Sequence, residues 1–163
     1  MSITIKPDVT PHEVWENRFE VPTMEDLTKP YTRQLQEYFD IARERLNSFE
    51  GVAEELAWQG PSWKWCLSYE KPDDETDAWA FLVPHPDFVI IAIPIKVELA
   101  TSFPMRRLKR FVRDGLLAGH RTADTLWPWW AINNKTSLED VLDIIKRKNR
   151  FVAANNAAAV TAK

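Results

Sequence analysis

Large aromatic side chains constrain what this chain can fold into more than any other feature. Eight tryptophans occur in 163 residues, and they are not scattered. Trp58, Trp63, Trp65 and Trp79 lie in one strand-like stretch, Trp127, Trp129 and Trp130 crowd a second, and Trp15 stands apart near the start. Each indole buries roughly 150–250 Å². The elements holding these two segments therefore contain either the core or an exposed aromatic platform.

The length suits one domain, large enough to bury about two thirds of the surface its unfolded form exposes. Apolar residues at 45% and charged residues at 28% are those of an ordinary soluble globular protein. The longest apolar run, residues 88–95, contains Pro94 and is far shorter than the roughly eighteen residues of a membrane span, so it reads as a buried strand. The start has neither the basic nor the apolar region of a signal peptide. Cys66 is the single cysteine, which excludes an intrachain disulfide and a thiolate metal cage. A cytoplasmic protein with no membrane segment and no cofactor is the expectation.

Charge is unevenly spread. Residues 1–100 carry 9 Lys/Arg against 19 Asp/Glu, and residues 101–163 carry 12 against 5. Such asymmetry can mark a partner for acidic ligands, or a basic helix packed beside acidic neighbours of the same molecule; charge blocks on helices favour the second. The acidic overall pI disfavours nucleic acid as a partner.

Residues 1–24, with Pro7, Pro11 and Pro22, read as an extended arm. From about Thr28 to Gly51 the apolar positions Tyr31, Leu35, Tyr38, Phe39, Ala42 and Leu46 recur at helical spacing, with Pro30 suited to the first turn. Strand-like pieces follow at about 52–58, 62–70, 77–84 and 87–95. In the second, alternation places Trp63, Trp65, Leu67 and Tyr69 on one side and Lys64, Cys66 and Ser68 on the other. A second helix opens at Pro104 and reaches about Leu117, and Leu126–Ile132 reads as one last strand. Ser137 to Asp140 resembles a capping box that starts a third helix, whose Lys146, Arg147, Lys148 and Arg150 suit its negative end. Residues 151–163 have too little apolar bulk for a core element and read as an Ala/Asn-rich tail. The order predicts one α+β domain over residues 25–150: a curved antiparallel sheet of about five strands with three main helices packed on one side.

Several groups could carry chemistry. Gly60 and Pro61 impose a tight turn that brings Trp58 and Trp63 toward one region, either an aromatic wall for a planar ligand or sugar, or a corner that plugs the core. Arg106, Arg107, Lys109, Arg110, Arg113, His120 and Arg121 form the best anion candidate, with a solvated helix face as the plainer reading. Asp73, Asp74, Glu75 and Asp77 lack the ligand ladder of a calcium loop and read as a polar hairpin. His85 is pinned between two prolines, and the three histidines show no paired metal spacing. No nucleophile elbow, phosphate-binding glycine loop or dinucleotide fingerprint occurs.

The run from Glu54 to Trp63 resembles the Trp-x-x-Pro-aromatic corner of small bacterial proteins of the YdhG-like superfamily. Within it the second half is most similar to the family called domain of unknown function 3788, through Trp63-Lys-Trp65, Phe81-Leu-Val-Pro84, Gly119-His-Arg121 and the helix from Ser137 to Lys148. The resemblance covers roughly residues 28–150; the Trp127–Trp130 strand and the long arm depart from it. It implies a compact α+β fold and brings no catalytic residues. One relative is regarded as a frataxin-like iron carrier, a role not carried over because the first helix mixes acids with Arg33, Arg43 and Arg45.

The leading expectation is a non-catalytic binding or interaction module, with a second copy of the chain or a small, in particular anionic, molecule as partner. Its site would be the concavity of Trp58, Trp63, Trp65, Trp79 and the Trp127–Trp130 strand, Trp129 above all, with His85, Arg106, Arg107, Arg110, His120 and Arg121 around it. The rival is an enzyme using His85 or His120 as acid/base with Arg107 or Arg110 holding an anion. A third class, a metal carrier, needs at least three converging carboxylates.

Overall fold

A computed structural model describes residues 18–60 and 63–161. Two threonine caps start the chain's first helices. Thr23 and Asp26 exchange side-chain and backbone hydrogen bonds around α1 (Met24–Thr28), which buries Leu27. Thr32, in extended conformation, accepts the Leu35 N–H and opens α2 (Arg33–Asn47). The sequence places this helix's start at about Thr28, with Pro30 in its first turn; the extended backbone at Thr32 moves the start to Arg33, and the separate α1 ends at Thr28. Leu35, Tyr38, Phe39, Ala42 and Leu46 are buried, as their spacing requires.

Five strands form an antiparallel sheet in the order β1 (Ala53–Trp58), β2 (Trp65–Glu70), β3 (Ala80–Pro84), β4 (Val89–Ala92) and a last strand, β8 (Trp129–Ile132). A smaller sheet has the order β5 (Ile95–Lys96), β7 (Thr125–Trp127), β6 (His120–Thr122). Between β5 and β6 lie α3 (Val97–Ser102) and α4 (Arg110–Ala118), and α5 (Lys135–Thr161) follows β8. The fold is α+β, and none of the described helices is long and apolar enough to cross a membrane.

One face of the large sheet carries the main core. Leu67, Tyr69, Leu82, Ile91, Trp130 and Ile132 meet apolar residues of α2, α3, α4 and α5 there. Glu54 on the edge strand β1 pins α2 to it: Arg43 donates to both carboxylate oxygens, and Asn47 and the Tyr69 hydroxyl donate to Oε2. The Tyr31 hydroxyl anchors the start of α2, donating to Phe88 O and accepting from His85 N.

Four local expectations are corrected. The second helix opens at Arg110 and not at Pro104, because residues 104–108 close a turn on the Pro104 carbonyl. The stretch from Leu126 to Ile132 is two strands in two sheets. Pro128 between them has no N–H to continue a ladder. Helix α5 begins at Lys135, with Asn134 Oδ1 accepting the Ser137 N–H, so asparagine performs the capping expected of Ser137. The expected tail continues α5 to Thr161: Val152 is buried, Phe151 packs on the core, and Asn156 donates to Asp73. Of the expected arm, residues 1–17 lie outside the described residues, while Phe19 and Val21 are exposed.

Candidate functional site

The opposite face of the large sheet is lined by Cys66, Phe81, Val83 and Ala92, with Ala78 beside them, and no described helix residue packs into this cluster. Aromatic rings cover it in part. Phe81 lies buried as a floor, with Trp63 tilted against it at 5.1 Å between ring centroids and Trp127 stacked beside it at 6.4 Å. Trp129 stands at the rim, 50% exposed. Trp63, Ile90, Ala118, His120, Trp127 and Trp129 enclose an open cleft of about 550 Å³.

Two backbone features aim these rings. Lys64 has φ +51°, and the corner around it closes through Gln59 N donating to Lys64 O and Lys64 N donating to Gly60 O. A strand would leave Trp63 and Trp65 on the same side. The left-handed turn at Lys64 breaks that alternation, so Trp63 joins the Phe81 cluster while Trp65 packs on Leu27 under α1. The break at Pro128 does the same for the second aromatic segment. Trp127 faces the cleft, with its Nε1 donating to Thr122 Oγ1 at 2.8 Å. Trp130 enters the main core, and its Nε1 donates to Val112 O. His120 pairs directly opposite Trp127 in the small sheet and so reaches the same cleft.

The other predicted site residues go elsewhere. Trp58 meets Trp65 edge-to-face at 6.0 Å in the separate cluster under α1. Trp79 is fully buried in the main core, beside Phe49, with the ammonium groups of Lys71 and Lys148 at 5.5 and 5.0 Å from its ring centroid. His85 sits at the β3–β4 turn, accepting the Asp87 N–H on Nδ1. Arg106 and Arg107 lie exposed in the turn before α4; Arg110, at its first residue, is paired with Asp114. Arg121 points to a different, polar hollow beside Lys96 and Asp124. Arg110 and Ala118 lie at opposite ends of α4, roughly 12 Å apart at the rise of a helix. Among the described residues, the arginines named above are thus not in the lining of the tryptophan cleft, where His120 lies without an arginine beside it in the lining.

The acidic loop holds no metal cage either; among the described residues no cluster of three His, Cys, Asp or Glu is placed to bind an ion. Asp73 pairs with Lys71, and Asp74 accepts from Thr76 N and Oγ1 and pairs with Lys148 at 3.2 Å. Lys148, expected on the solvated end of its helix, is instead buried. Its ammonium donates to Thr76 Oγ1, Ala78 O and Trp79 O. Burial pushes it down to about 8, against the attraction of Asp74. The cavity beside it has room for only about 20 Å³, about one water, and the assembly ties the 71–79 segment to α5. Beneath the aromatic cleft, burial pushes the Cys66 thiol up to about 12, which keeps it protonated and poorly nucleophilic at neutral pH.

Ile90 and Ala118 complete the described lining and Phe81 lies beneath it; none of the three belongs to the site expected from the sequence, whereas Trp127 lies on the strand that does. Residues 80–84 are uniformly apolar, so no period distinguishes the face of Phe81 from that of Leu82. Comparison of the chain with family models, with curated proteins and with solved structures finds no match.

Proposed function

We propose that the protein is a non-catalytic binding module whose site is the aromatic cleft on the sheet face away from the helices. One observation carries this reading: three indoles from separate elements line one open cleft, and half the surface of Trp129 is left to solvent. Core packing accounts for Trp65, Trp79 and Trp130, but not for a half-exposed indole at the rim of a volume large enough to hold a small molecule. Among the described lining residues His120 is the one titratable side chain. That composition supports binding by shape and π-surface over acid–base chemistry.

The test is a ligand-observed NMR screen of small ring-bearing and ammonium-bearing fragments against the intact protein and its Trp129→Ala variant. Fragments that bind the first and lose contact with the second are the expected result. The reading fails when no fragment distinguishes the two.

A further inference from the structure

We propose that the group recognised in the cleft is a methylated ammonium, a cation with no N–H to donate. This inference rests on the reading of the cleft as a binding site, and concerns what it selects. The cleft wall has two properties that together narrow the ligand. It is built largely from indoles, with Trp63, Trp127 and Trp129 in the lining and the first two packed on buried Phe81. It also holds no formal charge and few acceptors: the described lining has no Asp, Glu, Lys or Arg, and its side-chain polar groups are the His120 imidazole and indole N–H groups, of which that of Trp127 is already given to Thr122.

Each ligand class meets these walls differently. A sugar or a base carries several donors and acceptors, which lose water on entry and meet, among the described side chains, only His120 and the indole N–H groups of Trp63 and Trp129; the donors in particular are left unpaired, which is costly. An anion meets the negative faces of the rings, and the arginines that could hold it lie outside the cleft. A primary ammonium must give up three hydrogen bonds to water, and the described lining side chains offer only the His120 imidazole as an acceptor. A trimethylammonium group keeps the positive charge that π faces attract, carries methyl groups that fit against indole, and has no donor to satisfy. The cleft volume of about 550 Å³ exceeds such a head group and leaves room for the chain bearing it. That chain can belong to a free choline-like molecule or to a trimethylated lysine of a polypeptide; the chemistry at the cleft is the same.

The experiment is calorimetric titration of the intact protein with choline, with its neutral carbon isostere 3,3-dimethylbutan-1-ol, and with a short trimethyllysine peptide. Choline or the peptide is expected to bind at least about tenfold tighter than the neutral isostere. Trp129→Ala should abolish that preference. His120→Lys, which adds a charge at an exposed rim position, should weaken the cations more than the isostere and so narrow the preference. The tighter of choline and peptide identifies the source. Equal binding of the isostere overturns the cation inference and leaves an apolar binding site. Absence of both cations, while another fragment binds in a Trp129-dependent way, overturns the ligand class alone; absence of every fragment overturns the binding reading itself.

Discussion

Replacing Lys148 by methionine tests the least expected interaction in the fold. The Lys148 and Asp74 side chains are 2% and 3% exposed and 3.2 Å apart. Removing one partner of a buried pair strands the other and typically costs about 3–5 kcal/mol. Here the Ala78 and Trp79 carbonyls also lose their donor. For a chain of 163 residues, that loss lowers the melting temperature by roughly 6–20 °C. Replacing both residues, Lys148→Met with Asp74→Leu, removes the stranded carboxylate and should return much of the loss, since apolar side chains can occupy the site of a buried ion pair. The pH dependence carries an independent signature. Burial depresses the folded-state pKa of Lys148 from 10.5 to about 8. Between those values the unfolded chain holds a proton that the folded chain lacks, so this group makes stability rise with pH across that window. Cys66 and Tyr31, whose pKa values burial raises, act in the opposite sense in both proteins. They cancel in the difference between wild type and Lys148→Met. Urea unfolding followed by tryptophan fluorescence at pH 7 and pH 10 should therefore show the gap widening, by up to about 3 kcal/mol. A variant of unchanged stability, or a gap independent of pH, refutes the assignment of Lys148 as a buried ammonium.

Three further outcomes follow from the packing. Gly115→Ala would place a methyl 2.0 Å from Trp130 Nε1, so Trp130 must shift; a loss of about 1–3 kcal/mol in denaturant unfolding is expected, and a neutral variant would show that Trp130 is not wedged against α4. Burial works against the ionised form of Glu54, but donation from Arg43, Tyr69 and Asn47 outweighs it and holds the carboxyl below its usual value of 4.5. Its stabilising contribution is present above that value and fades as pH falls through the lower folded-state value, so Glu54→Gln should flatten the acid limb of the stability curve; an unchanged limb would contradict the network. Cys66 should react with a thiol reagent only as fast as the chain opens, with labelling accelerating together with unfolding in urea; rapid labelling of the folded protein would contradict its place beneath the cleft.

Trp129→Ala, by contrast, should cost little stability, because half of the ring already faces water. Its effect belongs to ligand binding. That separation of roles among chemically identical residues is where reading the chain as a string stops. The two tryptophan segments are plain in the sequence, but which indole enters the core, and which faces the cleft, depends on single backbone events. Lys64 reverses the side taken by Trp63, and Pro128 moves Trp127 into a different sheet from Trp130.

Local patterns nonetheless determined much of this protein. Helical spacing of Leu35, Tyr38, Phe39, Ala42 and Leu46 dictated the buried face of α2. The chain of apolar segments punctuated by turns dictated an antiparallel α+β fold, because each such signal acts between neighbours in sequence. Tertiary structure alone decided the rest. The acceptors that draw Lys148 inward lie 69 to 72 residues away, and a stretch of alanine and asparagine becomes helix because Val152 and Asn156 find partners on the body of the domain. A cleft that draws on β4, β6, β7 and β8 exists only after those strands have paired. Periodicity reports which residues of an element share a face, and only the packed chain determines what that face meets.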